Sequence, residues 1–111
     1  MNEFLFVFRR DYLTPNRQLA TDLMQAHQKS WADWFRSLAA QNKLVYPVQR
    51  YDERGKVVTK MAIIEGPYID GNVAISGLLV VKAADYQEAV RMAEECPILV
   101  VGGTVEVRQA L

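Results

Sequence analysis

Two uninterrupted apolar runs in this sequence are predicted to form strands. One run is Phe4 to Phe8, and the other is Leu78 to Val81. Aromatic and β-branched residues favour strands, and strands without alternating polar residues are typical of sheets that are covered on both faces. The pattern therefore predicts a sheet with two buried faces.

A long helix is predicted to follow the first strand. Thr14 suits the N-cap position and Pro15 the first helical position, and we expect the helix to continue to about Asn42. Apolar residues recur along it at spacings of three and four, which is typical of a helix with one buried face. The members of this stripe are Leu19, Leu23, Ala26, Trp34, Phe35 and Leu38, with His27 and Trp31 on or beside it.

Three further strands are predicted in the middle of the chain. The segments 44–51 and 56–64 flank a polar turn that contains Gly55, and they are expected to pair as a hairpin. The segment 73–82 is the next strand, and its centre is again apolar on both faces. These strands would complete most of the predicted sheet.

The C-terminal part is predicted to contain a short helix and two short strands. Asp85 and Glu88 form a capping-box pattern with Asp in place of Ser or Thr, and Pro97 ends the helix. The segments 98–101 and 104–107 are expected to be strands on either side of a glycine break. The helix residues expected to be buried are Ala89, Val90 and Ala93.

The predicted order is β-α-β-β-α-β with an extra short strand before the last, which is the ferredoxin-like arrangement within the α+β class. A chain of 111 residues suits one domain, residues 1–111, with a single core. Two helices can cover only one face of the sheet, yet the strands are apolar on both faces. We therefore expect a second copy of the chain to cover the other face in a homodimer.

Charge and cysteine content exclude several classes of function. Thirteen basic residues balance thirteen acidic ones, which gives no reason to expect binding to nucleic acid or to an anionic membrane. Cys96 is the single cysteine, so no internal disulfide can form, and this fits a cytoplasmic protein. The run from Phe4 to Phe8 is too short for a membrane span or a signal-peptide core. Cys and His lack metal-ligand spacing, and the glycines fit no nucleotide-binding fingerprint, so we expect no metal and no cofactor.

A polar turn between two predicted strands reads Glu65-Gly66-Pro67-Tyr68-Ile69-Asp70-Gly71. Together with the C-terminal segment Gly102 to Arg108, this turn resembles the YCII-related proteins, in the branch named for an Asp-Gly-Pro-Phe motif. Here the motif reads Glu65-Gly66-Pro67-Tyr68. The resemblance implies dimers whose two sheets pack into an α/β barrel. It implies no reaction, because most of the family has no established activity.

His27 is the only histidine and is therefore a candidate for acid–base catalysis, which needs a group that titrates near neutral pH beside a cavity. The alternative is a helix histidine packed at the edge of the core. In the wider family, the resemblance implies a catalytic dyad of a first-helix histidine and an aspartate. That histidine position falls on Trp31 here, one turn after His27, so we do not assign the dyad to His27.

Four other residues are candidates for a ligand pocket. Trp31 and Trp34 could line a site for a flat or apolar ligand, or they could pack the helix against the sheet. Arg9 could bind a carboxylate or phosphate. Asp70 could act as a base or form an Asx turn before a glycine. With His27, these residues are expected to form a pocket between the sheet and the first helix, with Arg9 and Asp70 at its mouth.

Two functions from different classes are compatible with these features. The first is a cytoplasmic homodimer that binds an organic small molecule and, if it is an enzyme, performs acid–base or lyase-type chemistry. The second is a non-catalytic interaction or regulatory module. The resemblance suggests a link to transcription control, because relatives are often encoded near alternative sigma factors. A pocket lined by charged groups and tryptophan would favour the first function, and a dry, filled interior would favour the second.

Overall fold

The protein has an α+β fold with two α-helices and antiparallel sheets in its described part. The computed structural model describes residues 1–11, 21–52 and 54–111, with the backbone alone for 21–24 and 46–50. The predicted helix start at Thr14 and Pro15 lies outside the described residues. In chain order the elements are β1 (Asn2–Asp11), α1 (Thr21–Ala40), β2 (Leu44–Arg50), β3 (Lys56–Val58), β4 (Ile63–Glu65), β5 (Val73–Ala83), α2 (Tyr86–Ala93), a 3-10 helix (Pro97–Val101) and β6 (Thr104–Gln109).

The main sheet has four strands in the order β2-β5-β1-β6, and every neighbouring pair is antiparallel. The two apolar runs lie beside each other at its centre, where Phe4 faces Val81 and Phe6 faces Leu79. Both runs are therefore strands, as predicted, and the strand order places them in the middle of the sheet.

One face of this sheet forms the core with the two helices. Phe4, Phe6 and Phe8 alternate along β1 and are buried, which follows from the two-residue period of a strand. Trp34 and Leu38 of α1 pack against them. The other core members include Leu79, Val81, Ala89, Ala93, Cys96 and Ile98. The strand residues that alternate with these core residues belong to the opposite face of the sheet, where Leu5 pairs with Val80 and Val7 with Leu78.

Local contacts specify the C-terminus of α1 and the N-terminus of α2. Asn42 adopts the left-handed conformation with φ 57°, and Lys43 N–H donates to the Leu38 carbonyl while Asn42 N–H donates to that of Ala39. This is a Schellman motif, which ends α1 close to the predicted residue. At the start of α2, the Asp85 carboxylate accepts the Glu88 N–H at 2.8 Å, so the predicted cap is confirmed.

The predicted hairpin between 44–51 and 56–64 is wrong. β2 pairs instead with β5 at the edge of the main sheet, where Tyr46 faces Val80. The segment 56–64 reverses direction within itself, and β3 and β4 form a separate two-stranded sheet. Thr59 causes the reversal, since its hydroxyl accepts the N–H groups of Met61 and Ala62 and thereby closes a tight turn.

The predicted strand at 98–101 is also wrong, because this segment forms the 3-10 helix Pro97–Val101. Pro97 is favoured in a first helical turn, and Gly102 ends the segment in the left-handed conformation with φ 85°. A four-residue apolar run does not distinguish strand from helix by its period. In α2, Ala89 and Ala93 are buried as expected, whereas Val90 is exposed.

Candidate functional site

A cluster of aromatic rings joins α1 to β1. The Trp31 ring lies 5.4 Å from that of Phe8 and 5.8 Å from that of Trp34, centre to centre, with both pairs edge-on. Phe35 lies 5.5 Å from each tryptophan ring. These separations are those of favourable aromatic pairs. The helical spacing places the rings on one face, as the apolar stripe predicts.

Trp34 is the buried member of the pair. Its side chain is 5% exposed, its ring stacks 6.3 Å from that of Phe6, and its indole N–H donates to the Met92 carbonyl at 3.2 Å. A buried indole needs a partner for its N–H, and here that partner belongs to α2. Trp34 therefore fastens the two helices to each other and to the sheet.

Trp31 and His27 form the half-exposed edge of the same cluster. The Trp31 indole N–H donates to His27 Nε2 at 3.0 Å, and the two rings are nearly perpendicular, at 88°. An acceptor nitrogen carries no proton, so Nε2 is the unprotonated ring nitrogen of His27 in this contact. The basic lone pair of His27 is thus occupied by Trp31.

Arg9 lies away from this cluster. β1 continues past Phe8 to Asp11, and Arg9 hydrogen-bonds to Glu106, which stands opposite Val7 in β6. That contact belongs to the sheet face without helices. Adjacent residues on a strand point to opposite faces, so Phe8 contacts Trp31 while Arg9 points the other way.

Glu106 accepts from two guanidinium groups. Arg108 Nε donates to its second oxygen at 2.8 Å, and Arg9 binds the first. The hydrogen bonds from Arg108 and Arg9 hold the pKa of Glu106 below its usual value, because they stabilise its charged form. The reciprocal hydrogen bond raises the pKa of Arg108. The three side chains form an ion-pair cluster with one excess positive charge.

Asp70 and the motif turn have structural roles in the described contacts. Asp70 and Val73 exchange two backbone hydrogen bonds, of 2.9 and 3.0 Å, across a two-residue turn whose first residue is Gly71, with φ 63°. Glycine at that position is what such hairpin turns require. Glu65 pairs with Lys56 at 2.7 Å, and Gly66 has φ 95°. Pro67 lies near Gly55, and Tyr68 is exposed.

A shallow cleft between α1 and α2 was not predicted. Its volume is about 280 Å³, and Trp34, Lys43, Glu88 and Arg91 are among the residues that line it. Lys43 Nζ lies 2.7 Å from Glu88 Oε1. That oxygen is buried and makes no well-angled hydrogen bond, but the short separation makes the contact an ion pair. Sequence reasoning missed this cleft because its ion pair joins residues 45 positions apart in the chain, Lys43 and Glu88.

Cys96 is unsuited to nucleophilic chemistry. It is buried between α2 and the 3-10 helix, and burial raises the pKa of its thiol to about 11. The thiolate is the reactive form of a cysteine. With the pKa at about 11, little thiolate exists at neutral pH.

Within residues 1–11, 21–52 and 54–111, no three His, Cys, Asp or Glu side chains gather as a metal site would need. None of the helices in this part of the chain has the length and hydrophobicity of a membrane span.

The fold and the candidate site define a small α+β protein whose helix layer holds an aromatic cluster with one histidine at its edge. The family model of the YCII-related domain matches residues 11–110. The chain therefore belongs to the YCII-related family. Among the curated proteins, none matches the chain.

Proposed function

We propose that this YCII-related protein is a homodimer that binds an organic small molecule beside α1, at the His27–Trp31 edge of the aromatic cluster. The hydrogen bond between these side chains carries the proposal, because it lies at a half-exposed position above buried Phe8 and Trp34. Small-molecule sites commonly combine aromatic surface with a few polar groups that fix the orientation of the ligand. Arg9 does not belong to this edge, because its side chain pairs with Glu106 on the opposite face of the sheet.

Proton transfer of the acid–base or lyase type is the chemistry that these side chains could support. A histidine acts as a base through an unprotonated ring nitrogen. His27 Nε2 accepts the Trp31 N–H, so the nitrogen is released only when a ligand separates the two rings. A ligand that offers its own acceptor to the Trp31 N–H would do this.

The proposed dimer follows from the surface that one chain leaves exposed. The accessible surface is 8274 Å², compared with roughly 6,200 Å² for a compact monomer of 12.6 kDa. The excess of about 2,000 Å² per chain is of the size that obligate homodimers bury. Leu5, Leu78 and Val80 are half-buried apolar residues on the face without helices. We infer a ferredoxin-like subunit, one domain over 1–111, that pairs into an α/β barrel.

The motif Glu65-Gly66-Pro67-Tyr68 supports placement in the Asp-Gly-Pro-Phe branch of the family. Gly66 supports this placement further, since its φ of 95° strongly favours glycine at that position. A single free and buried cysteine, Cys96, suits a reducing compartment such as the cytoplasm.

Two-dimensional NMR of the indole groups tests ligand binding. A fragment library of aromatic and carboxylic compounds is added to the ¹⁵N-labelled protein, and the Trp31 and Trp34 N–H resonances are assigned with Trp31→Phe. We expect binders that shift the Trp31 resonance and leave the buried Trp34 resonance in place. His27→Ala should weaken them, whereas Gln28→Ala, an exposed change on the same helix, should not. A library in which no compound moves the Trp31 resonance would contradict the proposed site.

A non-catalytic interaction module with a link to transcription control is the second candidate. The exposed apolar hairpin of β3 and β4 favours it, because single chains rarely leave such patches uncovered unless they bind a partner.

Light scattering at micromolar concentration tests the dimer that both candidates share. A mass of twice 12.6 kDa is expected, and a persistent monomer would rule out the obligate-type interface.

A further inference from the structure

The hairpin arm, residues 56–65, is ordered by its own contacts. Its strands pair Lys56 with Glu65 and Val58 with Ile63, and its turn is closed by a backbone hydrogen bond of 2.8 Å from Thr59 N–H to the Ala62 carbonyl. Gly66 N–H extends the pairing to the Gly55 carbonyl at 2.7 Å. The arm therefore presents its side chains in a defined geometry.

The side chains that the arm presents are apolar and lie in the open. Met61 at the tip is 89% exposed, Val58 is 75% exposed and Ile63 is 66% exposed. Val58 and Ile63 face each other across the ladder and share one face. An isolated two-stranded hairpin is marginally stable in water. A structured hairpin with this surface is expected to pack against another surface.

The charge of the arm restricts what that surface can be. Lys56 and Glu65 neutralise each other at 2.7 Å, and this pair borders the Val58–Ile63 face on the same side of the ladder. Lys60 alone adds a positive charge near the tip. A polyanion such as nucleic acid is bound by clusters of Lys and Arg, which the arm lacks. The arm therefore suits an apolar protein surface.

The proposed homodimer supplies such a surface beside its paired sheets. Leu5, Leu78 and Val80 are half-buried on the sheet face without helices, where the two chains would pair, and one chain exposes about 2,000 Å² more than a compact monomer of its mass. We propose that the hairpin arm packs on a second copy of this chain and forms part of the dimer interface. This inference rests on the homodimer proposed above and adds a contact outside the main sheet.

Sedimentation equilibrium of matched variants tests the arm. Met61→Gln with Ile63→Thr removes apolar surface while threonine keeps the strand preference. The control is Val100→Thr, an equally exposed apolar position on the 3-10 helix. We expect the arm variant to weaken dimerisation at least tenfold, as loss of buried apolar anchors typically does, and the control to leave it unchanged.

Failure of the arm and failure of the dimer give different results. A dimer that is unaffected by the arm variant but is dissociated by Leu78→Gln overturns the arm and keeps the dimer. A wild-type monomer at all concentrations overturns both. Far-UV circular dichroism with the wild-type spectrum ensures that a weaker dimer reflects the interface rather than unfolding. Co-sedimentation of the wild type with neutral phosphatidylcholine vesicles, lost in the arm variant, would also overturn the proposal and assign the arm to lipid.

Discussion

Gly103 lies at the closest approach between the 3-10 helix and β1, and a methyl group has no space there. A Cβ at this position would lie 2.4 Å from Ile98 Cγ1, 2.9 Å from Ile98 Cδ1 and 2.8 Å from the Arg9 carbonyl oxygen. Favourable contacts between carbon atoms require about 3.5–4.0 Å. Gly103→Ala would therefore push Ile98 or the end of β1 outward by about 1 Å.

Neither neighbour can move easily. Ile98 is a buried member of the core cluster, and Arg9 pairs with Thr104 in β6 and with Ile75 in β5. Overpacking of a tight site costs about 1–3 kcal/mol, and a clash with both backbone and core places Gly103→Ala near the upper end. For a domain of this size, we expect the melting temperature to fall by roughly 10 °C.

The assay is thermal and urea unfolding, with a control that adds the same methyl group where there is room for it. Gly55→Ala is this control, because the nearest neighbour of the added Cβ would be Pro67 Cα at 3.8 Å, an ordinary contact. We expect the control to remain within about 0.5 kcal/mol of the wild type, as surface changes usually do. If Gly103→Ala melts within about 2 °C of the wild type, at roughly 4 °C per kcal/mol, the reasoning about this contact is refuted.

Three further predictions test other parts of the structure. Gly66→Val should destabilise the protein by about 1–3 kcal/mol because φ is 95° there, and unchanged calorimetric unfolding would show that the turn tolerates a side chain. Lys43→Met should cost about 1–3 kcal/mol, because it leaves the buried Oε1 atom of the partly buried Glu88 carboxylate without its cation. Adding Glu88→Leu should recover part of that loss in denaturant titrations, and no recovery would contradict the ion pair. Cys96 should resist iodoacetamide at neutral pH until unfolding, because burial raises its pKa to about 11, and rapid labelling of the native protein would refute this.

Local signals accounted for the elements whose residues specify their own conformation. The Asp85 cap forms as its pattern with Glu88 predicted, and the strand of Phe4 to Phe8 lies at the sheet centre. Gly66 takes a left-handed φ. In each of these cases the deciding contact lies within a few residues along the chain, or the residue type leaves few alternatives.

Elements with competing partners were not determined locally. The segment 44–51 had an adjacent candidate for pairing, but β5 offers a longer apolar strand, and β2 pairs with residues at least 27 positions away, as Arg50 does with Gly77. The run 98–101 could be strand or helix by its pattern, and in the structure it is a 3-10 helix that buries Ile98 against Gly103 and leaves Val100 exposed. These choices depend on what else is buried nearby.

The candidate site shows the same division. Helical spacing placed His27, Trp31 and Trp34 together, but the hydrogen bond from Trp31 to His27 and the burial of Trp34 under α2 needed the tertiary structure. Arg9 was expected at the mouth of a pocket beside the first helix, yet β1 extends to Asp11 and the Arg9 side chain binds Glu106 on the opposite face. Because successive side chains of a strand point to opposite faces, Arg9 points away from the face that Phe8 occupies. The sequence by itself determined the α+β class, the family, the strands of the two apolar runs and the aromatic stripe, because these depend on residue type and period. Strand partners, the face on which Arg9 lies and the occupied nitrogen of His27 depend on distances between residues far apart in the chain, and only the folded structure decided them.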